Sequence, residues 1–98
     1  MASNRKLTPI LAGRTITSIE KAESLLIIGF TDGSTMKVKM GSPAISVDFV
    51  NRRILKVRQS GAVFNLDFDD DSTMEIQLAE AMSSVMLRNG NGALEYAD

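Results

Sequence analysis

The chain has 98 residues, eleven basic and twelve acidic side chains, and no histidine, cysteine or tryptophan. That length suits one domain, and a hydrophobic share of 44% belongs to a folded globular chain rather than a disordered one. Without imidazole or thiol the chain lacks the commonest general bases, a thiol nucleophile and nearly every zinc or copper ligand, and a net charge of −1 gives no electrostatic commitment to nucleic acid.

At the N-terminus, Arg5 and Lys6 are not followed by the apolar run of a secretory signal. The longest apolar stretch, Leu25 to Ile28, is far too short to span a bilayer, and no disulfide framework supports a secreted life. The expectation is a cytoplasmic protein with neither a membrane nor a nucleic-acid partner. The basic stretch Arg52, Arg53, Lys56 and Arg58 agrees with this, because it has no interleaved aromatics on which bases could stack.

One pattern organises the chain. Residues 13–50 lie over residues 51–88 at a constant offset of 38 without a gap. Arg14, Ile16, Phe30, Asp32, Ser34, Thr35, Met36, Ser46 and Val47 recur as Arg52, Ile54, Phe68, Asp70, Ser72, Thr73, Met74, Ser84 and Val85. Conservative pairs such as Ile19/Val57, Leu26/Phe64, Ile28/Leu66, Val38/Ile76 and Met40/Leu78 join them.

In chain order, the apolar piece Pro9-Ile10-Leu11 precedes the first copy. Ile16 and Ile19 follow, three apart, which breaks strand alternation and suggests a bulge. Leu26, Ile28 and Phe30 then alternate, as do Met36, Val38 and Met40, and period-two alternation marks half-buried strands. Asp32-Gly33 between them is a hairpin signal in which both turn residues take positive φ. A second apolar piece, Val47 to Phe49, leads into the second copy. There Leu55 and Val57 read as sharing a face, followed by Phe64, Leu66 and Phe68, then Met74, Ile76 and Leu78. Asp71 takes the place of Gly33, at a strain on the order of 1 kcal/mol. Leu78, Met82, Val85 and Met86 have helical spacing, which places a short helical turn near 79–83 before the next strand. The Gly-rich Asn89 to Gly92 then sits inside a closing hairpin over 85–97. The predicted fold is all-β: two tandem meanders of about 38 residues related by a pseudo-two-fold, closed as a small barrel or packed as a sandwich.

The candidate chemistries are few. Asp67, Asp69, Asp70 and Asp71 could offer oxygens to calcium. A calcium loop from Asp69 would end on Glu80, but its sixth position is Met74 where glycine is wanted. The cluster therefore reads as a solvated turn and no metal is assigned. The six methionines include Met36, Met40 and Met74 at inward strand positions, where they fill core rather than bind copper. No nucleophile elbow, phosphate loop or dinucleotide fingerprint is present, so neither catalysis nor a cofactor is expected.

On the second strand of each copy the outward residues differ. The second copy has Val63, Asn65 and Asp67, which read as wet surface. The first has Leu25, Ile27 and Gly29, an apolar stripe. Such a stripe is usually covered, either by the N-terminal segment Leu7 to Leu11 or by a second chain in a two-fold dimer. The functional expectation is a non-catalytic interaction or assembly module that forms homo-oligomers, most simply dimers. The alternative is a small-ligand or cation-binding β domain with its site between the repeats or at the acidic turn.

Overall fold

The computed structural model describes residues 2–3, 7–41, 48–80 and 84–97 of the chain. In order these form β1 (Ala2–Ser3), the helical turn α1 (Thr8–Leu11), β2 (Ile16–Ala22), β3 (Leu25–Phe30), β4 (Thr35–Lys39), β5 (Ile54–Ser60), β6 (Val63–Phe68), β7 (Thr73–Gln77), β8 (Val85–Arg88) and β9 (Leu94–Ala97). All pairings are antiparallel. One sheet has the order β2-β3-β4-β8-β9, and the other is β5-β6-β7 with the two-residue β1 added at the β5 edge.

Alternation decides what faces inward. Leu26, Ile28 and Phe30 on β3, Met36 and Val38 on β4, and Phe64, Leu66 and Phe68 on β6 are all buried. So are Met74 and Ile76 on β7, and Val85 and Leu87 on β8. These side chains form a single apolar core shared by the two sheets, because a three-stranded meander alone is too thin to cover its own apolar face.

Strand bounds recur at the 38-residue offset: β2 with β5, β3 with β6, and β4 with β7. Backbone conformation follows the same offset even where the residue type changes. Positive φ occurs at Gly13 and Asn51, at Glu23 and Gly61, and at Gly33 and Asp71. The two halves also exchange equivalent backbone bonds. Ile16 N–H donates to Arg52 O at 3.0 Å while Ile54 N–H donates to Arg14 O at 2.9 Å. Gly13 N–H donates to Ile54 O at 2.8 Å, and Asn51 N–H to Ile16 O at 2.7 Å. At the far end Gly41 N–H donates to Gln77 O at 2.8 Å, and Ala79 N–H to Lys39 O at 2.9 Å.

These junctions are brief. Among the described residues β2-β3-β4 meets β5-β6-β7 in register only at the isolated bridges Thr15↔Arg53 and Met40↔Leu78, while β8 of the second copy pairs along β4, so the sheets stay separate and the barrel expected as one option does not close. Gly41 sits at one junction, where a Cβ would lie 2.7 Å from the carbonyl oxygen of Leu78. The backbone can approach there only because the side chain is absent.

Four local expectations need correction. The first concerns the helical turn. It lies at Thr8–Leu11, with Pro9 in the first turn where its fixed φ and missing N–H are tolerated. Leu7 and Leu11, four apart, both enter the core. Of the turn expected near 79–83, Ala79 and Glu80 are bends and 81–83 lie outside the described residues.

The second concerns β5. Leu55 is exposed while Val57 is buried. A register shift between Ile54 and Lys56 repeats the shift between Ile16 and Ser18. The bulge places Ile54 and Val57 on one face and throws Leu55 outward.

The third concerns the Asp32-Gly33 hairpin, where only Gly33 has positive φ, +86°. Phe30 O accepts from Gly33 N–H at 3.0 Å, and Phe30 N–H donates to Ser34 O at 3.0 Å. This is a three-residue loop with a left-handed third residue rather than a two-residue turn. Asp71 closes the matching loop at φ +68°. The last correction concerns Asn65, which is only 2% exposed and therefore not wet surface.

The strained position at Asp71 gives a test of the turn. Asp71→Gly removes the Cβ penalty of a left-handed residue and adds chain entropy to the unfolded state, leaving a gain of up to about 1 kcal/mol. Chemical denaturation measures this directly, and a clear loss of stability would mean that the Asp71 side chain itself holds the loop.

Candidate functional site

The outer face of the five-stranded sheet is built by register. Glu20, Ile27, Lys37, Met86 and Ala97 stand directly opposite one another across β2, β3, β4, β8 and β9. Ala22, Leu25 and Lys39 form the row on one side of this, and Ser18, Gly29, Thr35, Arg88 and Leu94 the row on the other. Leu25, Ile27 and Gly29 therefore run down the centre of β3 as the alternation implied. They are half-buried rather than fully exposed, and Ser18 Oγ lies 2.5 Å from where a Cβ on Gly29 would stand. Met86 and Leu94 on the same face are exposed at 38% and 53%. The N-terminal segment does not cover this stripe. Leu7 and Leu11 enter the core, and α1 lies against β5, where the Thr8 hydroxyl donates to Val57 O and accepts from Val57 N–H, both at 3.0 Å. That contact satisfies backbone groups on the β5 edge that would otherwise invite pairing.

The matching face of the other sheet is chemically different. The row Arg58, Asn65 and Glu75 occupies the positions of Glu20, Ile27 and Lys37. Arg58 reaches diagonally to Asp67, donating from Nε at 2.5 Å and from Nη2 at 2.8 Å. Thr73 Oγ1 adds a third bond to the same carboxylate at 2.7 Å. The Arg58 guanidinium, helped by the Thr73 hydroxyl, holds the Asp67 carboxyl below its ordinary range, against a smaller opposing effect of burial.

The acidic cluster does not converge. Asp67 is engaged by Arg58, and Asp70 accepts from Ser72 N–H at 3.0 Å and from the Ser72 hydroxyl, with Arg52 Nη1 3.1 Å away. Asp69 and Asp71 are exposed. Among the described residues no three acidic side chains come together as a metal site. A shallow depression of about 310 Å³ lies beside this turn, lined by Leu55, Lys56, Asp67, Phe68, Asp71, Ser72 and Thr73.

Two arginines clamp the hairpins in matching ways. Arg14 Nη1 donates to Ser34 Oγ at 2.9 Å, and Arg52 Nη1 to Ser72 Oγ at 2.8 Å. Ser34 in turn donates to Asp32 at 2.5 Å from its hydroxyl and 2.9 Å from its N–H, and these bonds hold the Asp32 carboxyl low. Beyond this the environments part. Arg14 grips Glu95 of β9 with two bonds of 2.9 and 3.1 Å, whereas Arg52 lies 5.0 Å over the ring of Phe49, itself stacked on Phe68 at 5.3 Å. Among the described residues no buried side-chain nitrogen or oxygen lacks a partner, and no helix is long and apolar enough to cross a membrane.

Sequence reasoning missed the charged ends of the central row. Strict alternation from Ile16 would turn Glu20 inward. The bulge between Ile16 and Ser18 reverses that parity, so Ile19 faces the core and Glu20 the solvent side. The three-residue gap between Ile16 and Ile19 was the available signal.

The Asp67 network has a definite pH signature. A carboxyl whose folded pKa lies below its unfolded value contributes stability above the unfolded value, near 3.8, and loses it as pH falls through the folded one. Asp67→Asn should lower Tm at pH 7, with the gap to wild type closing as pH drops below about 4. A gap unchanged down to pH 2 would show that the carboxylate charge is not what matters.

No family model, curated protein or solved structure matches this chain.

Proposed function

We propose that this protein is a non-catalytic interaction module that assembles with copies of itself, built by tandem duplication of one unit of about 38 residues whose halves have diverged on their outer faces. The duplication is supported by the shared strand bounds, the three offset pairs of positive-φ residues and the reciprocal backbone bonds. The same bonds support a pseudo-two-fold, since each of these donors has its counterpart in the other half.

The observation that carries the functional reading is the contrast between the equivalent outer strands. In the second half Asp67 is bound by Arg58 and Thr73, and Asn65 is buried. In the first half Gly29 and Ile27 stand at those two places, and Leu25 stands where the second half has Val63, on the outer sheet face. A sheet face needs no aliphatics merely to stay in water, and apolar residues retained there favour contact with another chain. The inward strand positions are apolar, which gives a ligand between the halves little to recognise. The depression beside Asp71 and Ser72 keeps a second reading open, a small polar ligand or cation at the acidic turn.

The double change Leu25→Asn with Ile27→Asp makes the stripe polar, as Asn65 and Asp67 make the matching face of the second half. Sedimentation should then find a folded monomer where the wild type self-associates. A wild type that is monomeric at high concentration would remove the assembly reading and favour the ligand site. A large loss of stability with unchanged mass would show that the stripe serves the fold of one chain.

A further inference from the structure

Resting on the self-assembly reading, we infer that two copies pack the outer faces of their five-stranded sheets together about a two-fold axis running along β3, with Glu20 of each copy paired to Lys37 of the other. The inference comes from the order of charges in the central row. Glu20 and Lys37 flank Ile27 on opposite sides, on β2 and β4. Strands in a sheet lie about 4.8 Å apart, so the two charges stand roughly 10 Å from each other with Ile27 between them. Neither forms an ion pair with a described residue.

A two-fold axis lying in the contact plane, parallel to β3 and passing over Ile27, exchanges the two sides of the row. It sets Ile27 on the partner's Ile27, Glu20 over the partner's Lys37, and Lys37 over the partner's Glu20. The next row follows the same operation, placing Leu25 on Leu25 and Lys39 over Ala22. On the other side Gly29 comes opposite Gly29, and Ser18, whose Oγ lies 2.5 Å from where a Cβ on Gly29 would stand, comes over Thr35. One patch used twice is the simplest closed assembly, and here its charges are complementary to themselves. An axis over β4 would instead set Lys37 on Lys37, and an axis over β2 would set Glu20 on Glu20. Charge thus selects the β3 axis.

The second half offers no such surface. Its row carries the reversed order Arg58, Asn65 and Glu75, but Arg58 is already bonded to Asp67 and Asn65 is buried. Only three strands of each copy overlap, a width of about 14 Å. The contact is therefore small, and its association weak and salt-sensitive.

Charge reversal tests this arrangement. Sedimentation equilibrium at low salt, up to high protein concentration, should find the wild type dimerising. E20K and K37E should each weaken self-association by about tenfold or more, because both ion pairs become like-charge contacts. The double variant E20K/K37E should regain dimerisation. Mixing the two single variants should give a one-to-one heterodimer, since one face is then wholly positive and the other wholly negative at these positions. If either reversal loses its fold, Glu20→Gln and Lys37→Gln replace it, and each should weaken the dimer and reduce its salt dependence. A wild-type dimer that none of these changes alters would overturn this face and axis while leaving self-assembly standing. A wild type monomeric throughout would overturn both.

Discussion

The molecule depends on an exchange of backbone bonds between its halves. Each meander enters its first long strand through a residue whose N–H and C=O are engaged by the other half. Ile16 bonds to Arg52 and Asn51, and Ile54 bonds to Arg14 and Gly13. Neither bulged strand can therefore take its place alone. The bulges follow from the same junctions. They turn Ile16 and Ile19 in one half, and Ile54 and Val57 in the other, toward one shared core. Once the halves are crossed in this way, the inward faces of β3, β4, β6 and β7 have no alternative to packing against each other.

The two halves differ most at their edges and outer faces. The first half carries β8 on β4, and β9 beyond it, fastened by the two-pronged contact of Arg14 with Glu95. The second half carries β1 and α1 on β5, fastened by the Thr8 hydroxyl on the Val57 backbone. Each addition covers backbone groups at a strand edge, the usual origin of unwanted pairing. The face around Ile27 has no such cover among the described residues, and under the proposed self-assembly its flanking Glu20 and Lys37 set how a second sheet settles on it. An open face with charges of both signs favours one registered contact over indiscriminate stacking.

Much of this was legible in the sequence because a strand has only two faces. Alternation in Leu26, Ile28, Phe30 and again in Phe64, Leu66, Phe68 leaves little freedom about the core, and the offset of 38 residues marks equivalent positions. What alternation cannot carry is a change of parity. The bulge after Ile54 was invisible because Leu55 and Val57 mimic an unbroken strand, and so Leu55 was assigned to the wrong face. The helical turn at Thr8–Leu11 was missed because four residues are too few for periodicity to declare itself, although Pro9 and the spacing of Leu7 and Leu11 were consistent with it. Asn65 was misread for a different reason. A polar residue at an outward position reads as solvated, and only the register reveals that Arg58, directly opposite, is drawn across to Asp67. The same dependence on register hid the row Glu20, Ile27 and Lys37, whose members are up to seventeen residues apart in sequence.

The two halves fold as one unit because each holds the other's first long strand in place. Native-state hydrogen exchange at the amides of Ile16 and Ile54 tests it most directly, since these two donors cross the junction in opposite directions. Both should exchange only through global unfolding, with equal free energies of opening that fall together as denaturant is added. If the Ile54 amide exchanged through a separate, lower-energy opening while Ile16 stayed protected, or the reverse, the halves would be independent and the account would fail.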